Sequence, residues 1–453
     1  MPDPTLPTHT NLFLAGNFAP IEQETTTFDL PIHGKVPDEL EGRFLRIGPN
    51  PVKTPDPYSY HWFGGTGMVH GLRLRGGQAE WYRSRYVVDS HEAKALGRDP
   101  IPGPGAGDRD GIVNTNFMGV DGHTLALVEA GSLPVELDYE LESIARSDFQ
   151  GTLEAGFTAH PKLDPSFGIY RALTYEPNGP VRYLTVDQAG RVSTLARIDL
   201  PHSPLVHDVT FTATSIVVLD LPVTFQPQAA HTSFPWLWNE KQASRVGLLP
   251  LDGDLSKLQW FDAPRCFVFH FLNSYDDDER VIVDVVRHDR MFASNQQGVN
   301  EGKPVLARWT IDRRTKRLTE SILEERGCEF PRINDAIGGQ YYRFGYTAHW
   351  GENVQFGPSM KHDLERGITE VHDYGVGRIA LEPIFVQRQN AAAEDDGWVL
   401  SYVYDSERNA SDVVILDARD FSGNPVATIN LPVRVPYGFH GCWVPDVAVG
   451  EVR

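Results

Sequence analysis

The sequence predicts an all-β protein, and three observations lead to this prediction. Short apolar runs with a period of two recur along the chain, as in Val69-His-Gly-Leu-Arg-Leu74 and Val281-Ile-Val-Asp-Val-Val286. Turn-forming pairs such as Asp121-Gly122 separate these runs where hairpins need them. No helical pattern longer than a few turns interrupts the series. The chain therefore resembles a succession of β-meanders.

A chain of 453 residues with this many strands must protect many strand edges, and radial repetition around an axis does so. At about 40 to 65 residues per four-stranded blade, the length suits a propeller of roughly seven blades. A large β-sandwich assembly would give a similar pattern.

Taken in order, residues 1–16 are typical of a loose N-terminal arm, and residues 17–453 of a single domain. The 33 prolines and 41 glycines are spread evenly, so no linker-like cluster marks a boundary. Strand-like runs extend from Gly42-Arg-Phe-Leu-Arg-Ile47 to Val413-Val-Ile-Leu416. The best helical candidates are residues 139–145 and residues 232–242.

Composition excludes several classes of partner. The net charge of -20 and the lack of a Lys/Arg-rich run argue against binding to nucleic acid. Three scattered cysteines do not form a disulfide framework. Residues 1–10 lack the basic start and apolar core of a signal peptide, and every apolar run is shorter than a membrane span. A cytoplasmic location is expected.

Four of the sixteen histidines lie in apolar or aromatic runs at the edges of strand-like segments: His160, His207, His270 and His440. They are separated by 47, 63 and 170 residues, so they cannot come from one helix or one loop. A ring fold with a metal on its axis would supply such distant single ligands, whereas a zinc finger would show clustered pairs. Four neutral imidazoles suit zinc, copper, iron or nickel, so the residues alone leave the element open.

Three glutamates lie in runs that otherwise predict burial: Glu129, Glu329 and Glu382. A metal-bound histidine usually donates its second ring N–H to an acceptor, and these carboxylates are the candidates. The alternative is that each glutamate meets an arginine or a backbone amide, because an unpaired buried charge would be costly.

Taken together, these segments resemble the carotenoid cleavage oxygenase family over about residues 17–444. The resemblance is carried by ten segments in order: Gly48-Pro-Asn-Pro51, His61-Trp-Phe-Gly-Gly-Thr-Gly-Met-Val-His-Gly71, Asn114-Thr-Asn116, Ala126-Leu-Val-Glu129, Thr158-Ala-His-Pro161, His207-Asp208, Phe269-His270, Glu329-Phe-Pro-Arg-Ile-Asn334, Glu382-Pro-Ile-Phe385 and Gly438-Phe-His-Gly441. It implies a seven-bladed β-propeller with loops forming a cap over the metal end of the axis. It also implies one Fe(II) per chain, held by the four histidines, with the three glutamates hydrogen-bonding all of them except His160.

The activity that the resemblance implies is a non-haem Fe(II) dioxygenase cleaving a C=C bond of a carotenoid or apocarotenoid. One C=C plus O2 giving two aldehyde or ketone products is balanced in electrons, so no reductant is expected. Phe63, Val128 and Phe330 are expected to line the substrate site. Family members that act on stilbenes carry a lysine at the position of Val128, so an apolar polyene is favoured here. The alternative within the family is a stilbene or phenylpropene cleaving enzyme.

An alternative of another class is a metal-dependent propeller hydrolase. However, calcium prefers oxygen ligands to imidazole nitrogens, and catalytic zinc usually has three protein ligands. Two glycine-rich segments carry no nucleotide site. In residues 375–380 the letters of a dinucleotide fingerprint occur, but Pro383 forbids the helix that such a motif opens. Residues 64–67 lack the lysine and helix of a phosphate loop, and a hairpin is predicted there.

The segment Phe234-Pro-Trp-Leu-Trp238 is a compact apolar and aromatic group. Because polyenes do not dissolve in water, peripheral membrane contact through Phe234, Trp236, Leu237 and Trp238 is one interpretation. The other is a loop packed on the rim of the propeller.

Overall fold

The computed structural model describes residues 11–88, 90–104, 110–229, 234–295, 297–299 and 301–446. Strands dominate these ranges, and a single short α-helix, Ser90–Ala95, occurs among them. The described 3-10 helices are Leu12–Leu14, Gly16–Phe18, Trp62–Gly64, Pro227–Ala229, Leu255–Lys257, Asp335–Ile337 and Ala418–Asp420. No helix in the described ranges is long and apolar enough to cross a membrane.

Seven antiparallel sheets form the blades of a β-propeller, which confirms the predicted fold class. Blade 1 contains, in spatial order, Thr26–Thr27, Gln78–Val87, Gly67–Arg75, Gly42–Pro49 and Gly441–Pro445. Blade 2 contains Asn116–Val120, His123–Leu127, Val135–Leu137 and Ser143–Arg146. Blade 3 contains Lys162–Asp164, Ile169–Thr174, Val181–Val186 and Val192–Ile198.

Blade 4 contains Thr210–Phe211, Ser215–Asp220, Arg245–Pro250 and Gln259–Asp262, and a separate hairpin of Val223–Phe225 and Trp236–Trp238 is inserted in it. Blade 5 contains Phe267–Asp277, Arg280–His288, Val305–Asp312 and Arg317–Glu324. Blade 6 contains Cys328–Arg332, Phe344–Gly351, Gln355–Asp363 and Ile368–His372. Blade 7 contains Ile32–Gly34, Ala427–Asn430, Ala410–Asp417, Gly397–Asp405, Arg378–Ala380 and Ile384–Gln387.

The two ends of the chain close the ring twice. The C-terminal strand Gly441–Pro445 pairs with the N-terminal strand Gly42–Pro49 in blade 1. The N-terminal strand Ile32–Gly34 pairs with Ala427–Asn430 in blade 7. Because each closing blade mixes strands from both ends, the sheet edges at the closure are paired, which removes exposed edges as a propeller requires.

The described end of the predicted N-terminal arm is packed against the propeller. The Phe13 ring is buried and stacks on Trp62 with ring centroids 5.1 Å apart. The amide of Asn11 donates to the backbone oxygens of Pro57 and Tyr60. The prediction of a loose arm therefore does not hold for residues 11–16, and residues 1–10 lie outside the described ranges.

Both helical candidates are wrong where the structure describes them. In residues 139–145, Leu141 has a left-handed φ of 73°, which breaks a helix, and Ser143–Arg146 is a strand of blade 2. In residues 232–242, Trp236–Trp238 pairs with Val223–Phe225, while Thr232 and Ser233 lie outside the described ranges. Pairing with a neighbouring strand outweighs the weak local preference for helix in both places.

The two glycine-rich segments open no nucleotide site. Arg378–Ala380 is a strand paired with Gly397–Asp405, so the letters of the dinucleotide fingerprint precede no helix, as predicted. The hairpin predicted at residues 64–67 is wrong, because these residues join the 3-10 helix Trp62–Gly64 to the strand Gly67–Arg75.

Candidate metal centre

The four predicted histidines meet on the propeller axis. Three of them lie one to three residues before the innermost strand of a blade, the strand nearest the axis: His160 in blade 3, His207 in blade 4 and His440 in blade 1. His270 lies within the innermost strand of blade 5. All four are buried, with 4 to 7% of each residue exposed. Their ligand atoms lie within 4.8 Å of one another, which is the spacing expected of a metal site.

Three of the distances between the four Nε2 atoms are nearly equal. The distances are 3.0 Å from His160 to His207, 3.2 Å from His207 to His270 and 3.1 Å from His270 to His440. Two donors bound at about 2.1 Å lie about 3.0 Å apart when the bonds meet at a right angle, and about 3.4 Å apart at the tetrahedral angle of structural zinc. The observed spacing is nearer to the right-angle arrangement.

Three glutamates fix the ring orientations of three of these histidines. The Nδ1 atoms of His207, His270 and His440 lie 2.8, 2.6 and 3.0 Å from carboxylate oxygens. The respective partners are Glu129, Glu329 and Glu382. The partners named in the alternative are also present at two of the glutamates, since Glu329 and Glu382 each accept from a backbone amide and Glu382 pairs with Arg332.

This hydrogen bonding leaves the Nε2 atoms without a proton. An ionised carboxylate only accepts, so Nδ1 of each of the three imidazoles is the donor, and Nε2 of the neutral ring carries a lone pair. Lone pairs about 3 Å apart cannot hydrogen-bond to one another. A cation between them satisfies all of them at once, so the donor set fits a divalent metal that accepts imidazole nitrogen, such as iron.

The charges around the centre support this protonation pattern. Burial and the three neighbouring histidines lower the pKa of His160 well below its usual value. Burial raises the pKa of the Glu382 carboxyl, but Arg332 and His440 outweigh burial and lower the pKa to about 2. Burial acts in the same direction on Glu329, and His270 and His288 outweigh it, so its pKa is also lowered. Burial also lowers the pKa of His440, to about 4, whereas at His207 the Glu129 carboxylate outweighs burial and raises the pKa.

Two further residues tie the ligand-bearing segments together. The buried Asp208, next to His207, accepts from the backbone N–H of Phe271, next to His270, at 3.0 Å and lies 3.3 Å from Lys162 Nζ. Arg332 pairs with Glu382 at 3.1 Å and donates to the backbone oxygen of Gly441, next to His440. Neither role was predicted from the sequence, although Asp208 and Arg332 lie within the segments that carry the resemblance.

A fifth buried histidine, His288, also belongs to the site. Its Nε2 lies 3.0 Å from Glu329 Oε1, so Glu329 bridges His288 and His270. His288 was not predicted to be a site residue. It ends a strand between the charged residues Arg287 and Asp289, and such a setting predicts exposure.

An apolar cavity of about 250 Å³ opens onto the metal centre. Phe63, Val128 and Phe330, which were predicted to line the substrate site, all line this cavity. Most of the other lining residues are aromatic or aliphatic: Trp62, Ile112, Ala130, Tyr175, Phe234, Trp236, Phe269, Val299, Trp350 and Phe439. The enclosure is therefore suited to a largely hydrocarbon ligand.

Two residues of the predicted membrane contact lie inside the protein instead. Phe234 and Trp236 are buried and line the cavity, and Phe234 stacks on His61 with ring centroids 4.2 Å apart. Membrane contact through these two side chains is therefore wrong for this conformation. Leu237 and Trp238 are partly exposed, and Trp238 lies between the guanidinium groups of Arg265 and Arg290.

Comparison with known proteins agrees with this geometry. The family model described as retinal pigment epithelial membrane protein matches residues 18–445. A carotenoid cleavage oxygenase of Mycobacterium tuberculosis is 37% identical, over 96% of this chain and 98% of its own length.

Two solved structures share the whole fold. The lignostilbene dioxygenase of Pseudomonas brassicacearum superposes with a TM-score of 0.86 at 27% identity, covering 98% of this chain and 100% of the other. The cobalt-substituted apocarotenoid oxygenase of Synechocystis superposes with a TM-score of 0.83 at 26% identity, covering 94% of this chain and 97% of the other.

Proposed function

Because this chain belongs to the family of retinal pigment epithelial membrane protein and the carotenoid cleavage oxygenases, we propose that it is an Fe(II)-dependent dioxygenase that cleaves a C=C bond of a carotenoid or apocarotenoid. The reaction converts the alkene and one O2 into two aldehyde or ketone products. The observation that carries the proposal is the set of converging Nε2 lone pairs at the inner end of an apolar cavity. We assign the whole activity to a single propeller domain.

His160, His207, His270 and His440 would hold one Fe(II). When bound there, Fe(II) supplies the binding and activation of O2, which four neutral protein ligands permit because they leave coordination positions open. Glu129, Glu329 and Glu382 hold protons at Nδ1 of three of these rings, so the Nε2 lone pairs stay directed at the metal position.

The cavity wall binds the alkene and excludes water. Phe63, Val128 and Phe330 place apolar surface beside the metal centre. A polyene gains about 25 cal/mol for each Å² of apolar surface that it buries there. The aromatic wall also leaves little room for solvent near the reacting double bond, which protects the reaction from hydrolytic side reactions.

Cleavage of a stilbene or phenylpropene is the second candidate function, and the size of the cavity favours it. Clefts that enclose drug-sized ligands have volumes of about 300 to 1,000 Å³. At about 250 Å³, this cavity encloses a two-ring or smaller molecule, whereas a long carotenoid must extend out through the opening. Against this candidate, Val128 offers no hydrogen-bond partner to a phenol.

A metal-dependent hydrolase is disfavoured by the same site. Hydrolysis needs a metal-bound water and polar groups that position it, whereas the wall around this centre is mostly apolar. Catalytic zinc also usually has three protein ligands rather than four.

Oxygen uptake by the iron-loaded protein tests the proposed function. With a panel of apocarotenals and stilbenes, one O2 should be consumed for each alkene cleaved, without added reductant, and no product should form under argon. Formation of the two carbonyl products at an equal rate under argon would contradict the proposed use of O2.

For peripheral membrane contact, we propose a smaller surface than the sequence predicted. Leu237 and Trp238 are the partly exposed members of the segment, and Arg265 and Arg290 flank Trp238. Both guanidinium groups also pair with Glu240, and an aromatic side chain beside such groups is suited to the headgroup region of a membrane. Co-sedimentation with anionic vesicles, compared between the unmodified protein and Trp238→Ser, tests this contact and, with it, the expectation of a cytoplasmic protein peripheral at the membrane.

A further inference from the structure

Two hydrogen-bond acceptors in the wall of the cavity have no hydrogen-bond partner among the described residues. One is Glu129 Oε2, for which the neighbouring Tyr175 hydroxyl is a hydrogen-bond donor in reach. The other is Nδ1 of His288. The polar groups of Asn114 and Thr115 are satisfied, because the Asn114 amide donates to two backbone oxygens and its own oxygen accepts from Thr115. Three indole N–H donors of the wall, on Trp62, Trp236 and Trp350, also lack a partner, so His288 Nδ1 is the acceptor that remains without a donor nearby.

The hydrogen-bond network fixes which ring nitrogen of His288 carries the proton. Glu329 is ionised and accepts through both oxygens, from His270 Nδ1 and from the backbone N–H of Phe330 at Oε2, and from His288 Nε2 at Oε1. Because the carboxylate only accepts, Nε2 of His288 is the donor, which leaves Nδ1 as the acceptor nitrogen of the imidazole.

A buried acceptor without a partner is unfavourable, and few such groups persist in native proteins without a function. The His288 ring is 2% exposed, so bulk water does not reach it freely. The Phe269 ring packs edge-on against it, with centroids 5.4 Å apart, and holds it in the wall. A ligand that enters the cavity can therefore donate the missing hydrogen bond to Nδ1.

We propose that His288 is a specificity-determining residue that accepts, through Nδ1, a hydrogen bond from a hydroxyl group at the end of the bound alkene. This inference rests on the proposed function and deepens it, because it narrows the substrate class to hydroxylated alkenes. Val128 cannot serve such a hydroxyl, and His288 can.

The position of His288 suits this role. Glu329 alone separates it from the proposed ligand His270, so two imidazole rings and one carboxylate link a hydroxyl bound at Nδ1 to the metal position. A conjugated system between the hydroxyl and the reacting double bond spans such a gap. Two sources share this chemistry: the phenol of a stilbene or phenylpropene, and the ring hydroxyl of an oxygenated apocarotenoid.

Two substitutions separate the two nitrogens of His288. In His288→Gln, the side-chain amide nitrogen takes the place of Nε2 and keeps a donor for Glu329, but leaves no acceptor in the place of Nδ1. In His288→Asn, the amide oxygen takes the place of Nδ1 and keeps the acceptor, but Glu329 loses its donor. The two variants are matched controls for each other.

The measurement is a ratio of kcat/KM values for iron-loaded protein. Three pairs of substrates are compared: 4-hydroxystilbene with 4-methoxystilbene, isoeugenol with its methyl ether, and a 3-hydroxy-apocarotenal with the unhydroxylated apocarotenal. We expect the unmodified protein to favour the hydroxylated member of at least one pair by about tenfold or more, since an unpaired buried acceptor is costly. The pair that shows the preference identifies the source of the hydroxyl.

In His288→Gln the preference should fall to near unity, whereas in His288→Asn it should persist even if overall activity falls. A ratio near unity for all pairs in the unmodified protein, or an unchanged ratio in His288→Gln, would overturn the proposal.

Binding to the anaerobic, iron-loaded protein gives a readout that does not depend on turnover. Calorimetry with the same pairs should show the same preference and the same loss in His288→Gln. If no alkene is cleaved but the binding preference is present, the proposed function fails and the assignment of His288 stands. If alkenes are cleaved but binding shows no preference, the assignment of His288 fails and the proposed function stands.

Discussion

Among single residues, the histidines proposed to hold the metal differ from the other buried histidines in what their nitrogens face. Nε2 of His207, His270 and His440 faces the other ligands, while Nδ1 donates to a glutamate. In contrast, both nitrogens of the equally buried His362 bond to threonine hydroxyls, on Thr347 and Thr369. Burial alone thus does not make a ligand; the proposed ligands are distinguished by ring nitrogens that converge on one point.

Replacing any one of the four proposed ligand histidines by Ala should abolish turnover and remove most bound iron, because only three imidazole ligands remain to hold the ion. Iron content by plasma spectrometry and O2 uptake measure the two effects. His362→Gln is the matched control and should keep full iron content. Full iron content in two or more of the ligand variants would refute the assignment.

The glutamates should act through the histidines that they orient. Glu382→Gln keeps the side-chain size but removes the charge that accepts from His440 Nδ1 and from the Gly441 N–H. Loss of such a partner typically costs about 10- to 100-fold in metal affinity or activity. A competition titration of Fe(II) against a chelator measures the loss, with Glu136→Gln as control, because Glu136 bonds the exposed His123 far from any metal site. If the affinity for Fe(II) were unchanged in Glu382→Gln, Glu382 would have only a structural role.

At the level of elements, the position of His440 depends on a close contact between two backbone segments. A Cβ at Gly438 would lie 2.8 Å from Gly48 Cα, and a Cβ at Gly48 would lie 2.5 Å from Gly438 Cα. The backbone N–H groups of Phe439 and Ile47 bond across this contact, to Ile47 O and His440 O. The paired glycines therefore let the segment that carries His440 lie directly on the strand Gly42–Pro49.

Gly438→Ala should separate these two segments. Overpacking of this kind costs about 1 to 3 kcal/mol of unfolding free energy, and it should also lower iron content by displacing His440. Denaturant unfolding and metal analysis measure the two effects. Gly119→Ala is the control, since nothing lies within 4 Å of a Cβ there. Equal stability and equal iron content in both variants would contradict this account.

Features that depend on neighbouring residues in the sequence were predicted correctly, whereas features that depend on contacts between distant residues were missed. The four histidines and three glutamates stand as polar residues within apolar runs, so their burial was visible in the sequence. The burial of Phe13 depends on Trp62, 49 residues away, and no residue near Phe13 in the sequence predicts this burial. Likewise, an apolar segment such as residues 234–238 has the same pattern whether it faces a membrane or a cavity, and only the packing of Phe234 on His61 decides.

In the whole molecule, the ring closure and the axial site are coupled. His440 comes from the last described segment of the chain, while its neighbours in the cluster come from blades 3, 4 and 5. The metal position can form only when Gly441–Pro445 has paired with Gly42–Pro49. Bound iron should therefore stabilise the closed ring by mass action, since the unfolded chain offers no preformed site.

The stability of the whole molecule should fall steeply in mild acid because of buried histidines outside the metal centre. Burial lowers the pKa of His61 and of His70 to about 3, and that of His362 to about 4. The unfolded chain, with pKa values near 6.5, binds more protons than the folded chain below that pH. The stabilisation is therefore complete above about pH 6.5 and is lost as the pH falls towards 4.

Each such histidine contributes a slope of about 1.4 kcal/mol per pH unit, so the three together give roughly 4 kcal/mol per pH unit between about pH 6 and 4. Urea unfolding at a series of pH values measures the slope. His362→Gln should reduce it by about one third, since the amide does not titrate, while a change at the exposed His33 serves as control. An identical slope in His362→Gln and the unmodified protein would show that carboxylates, rather than buried imidazoles, govern acid unfolding.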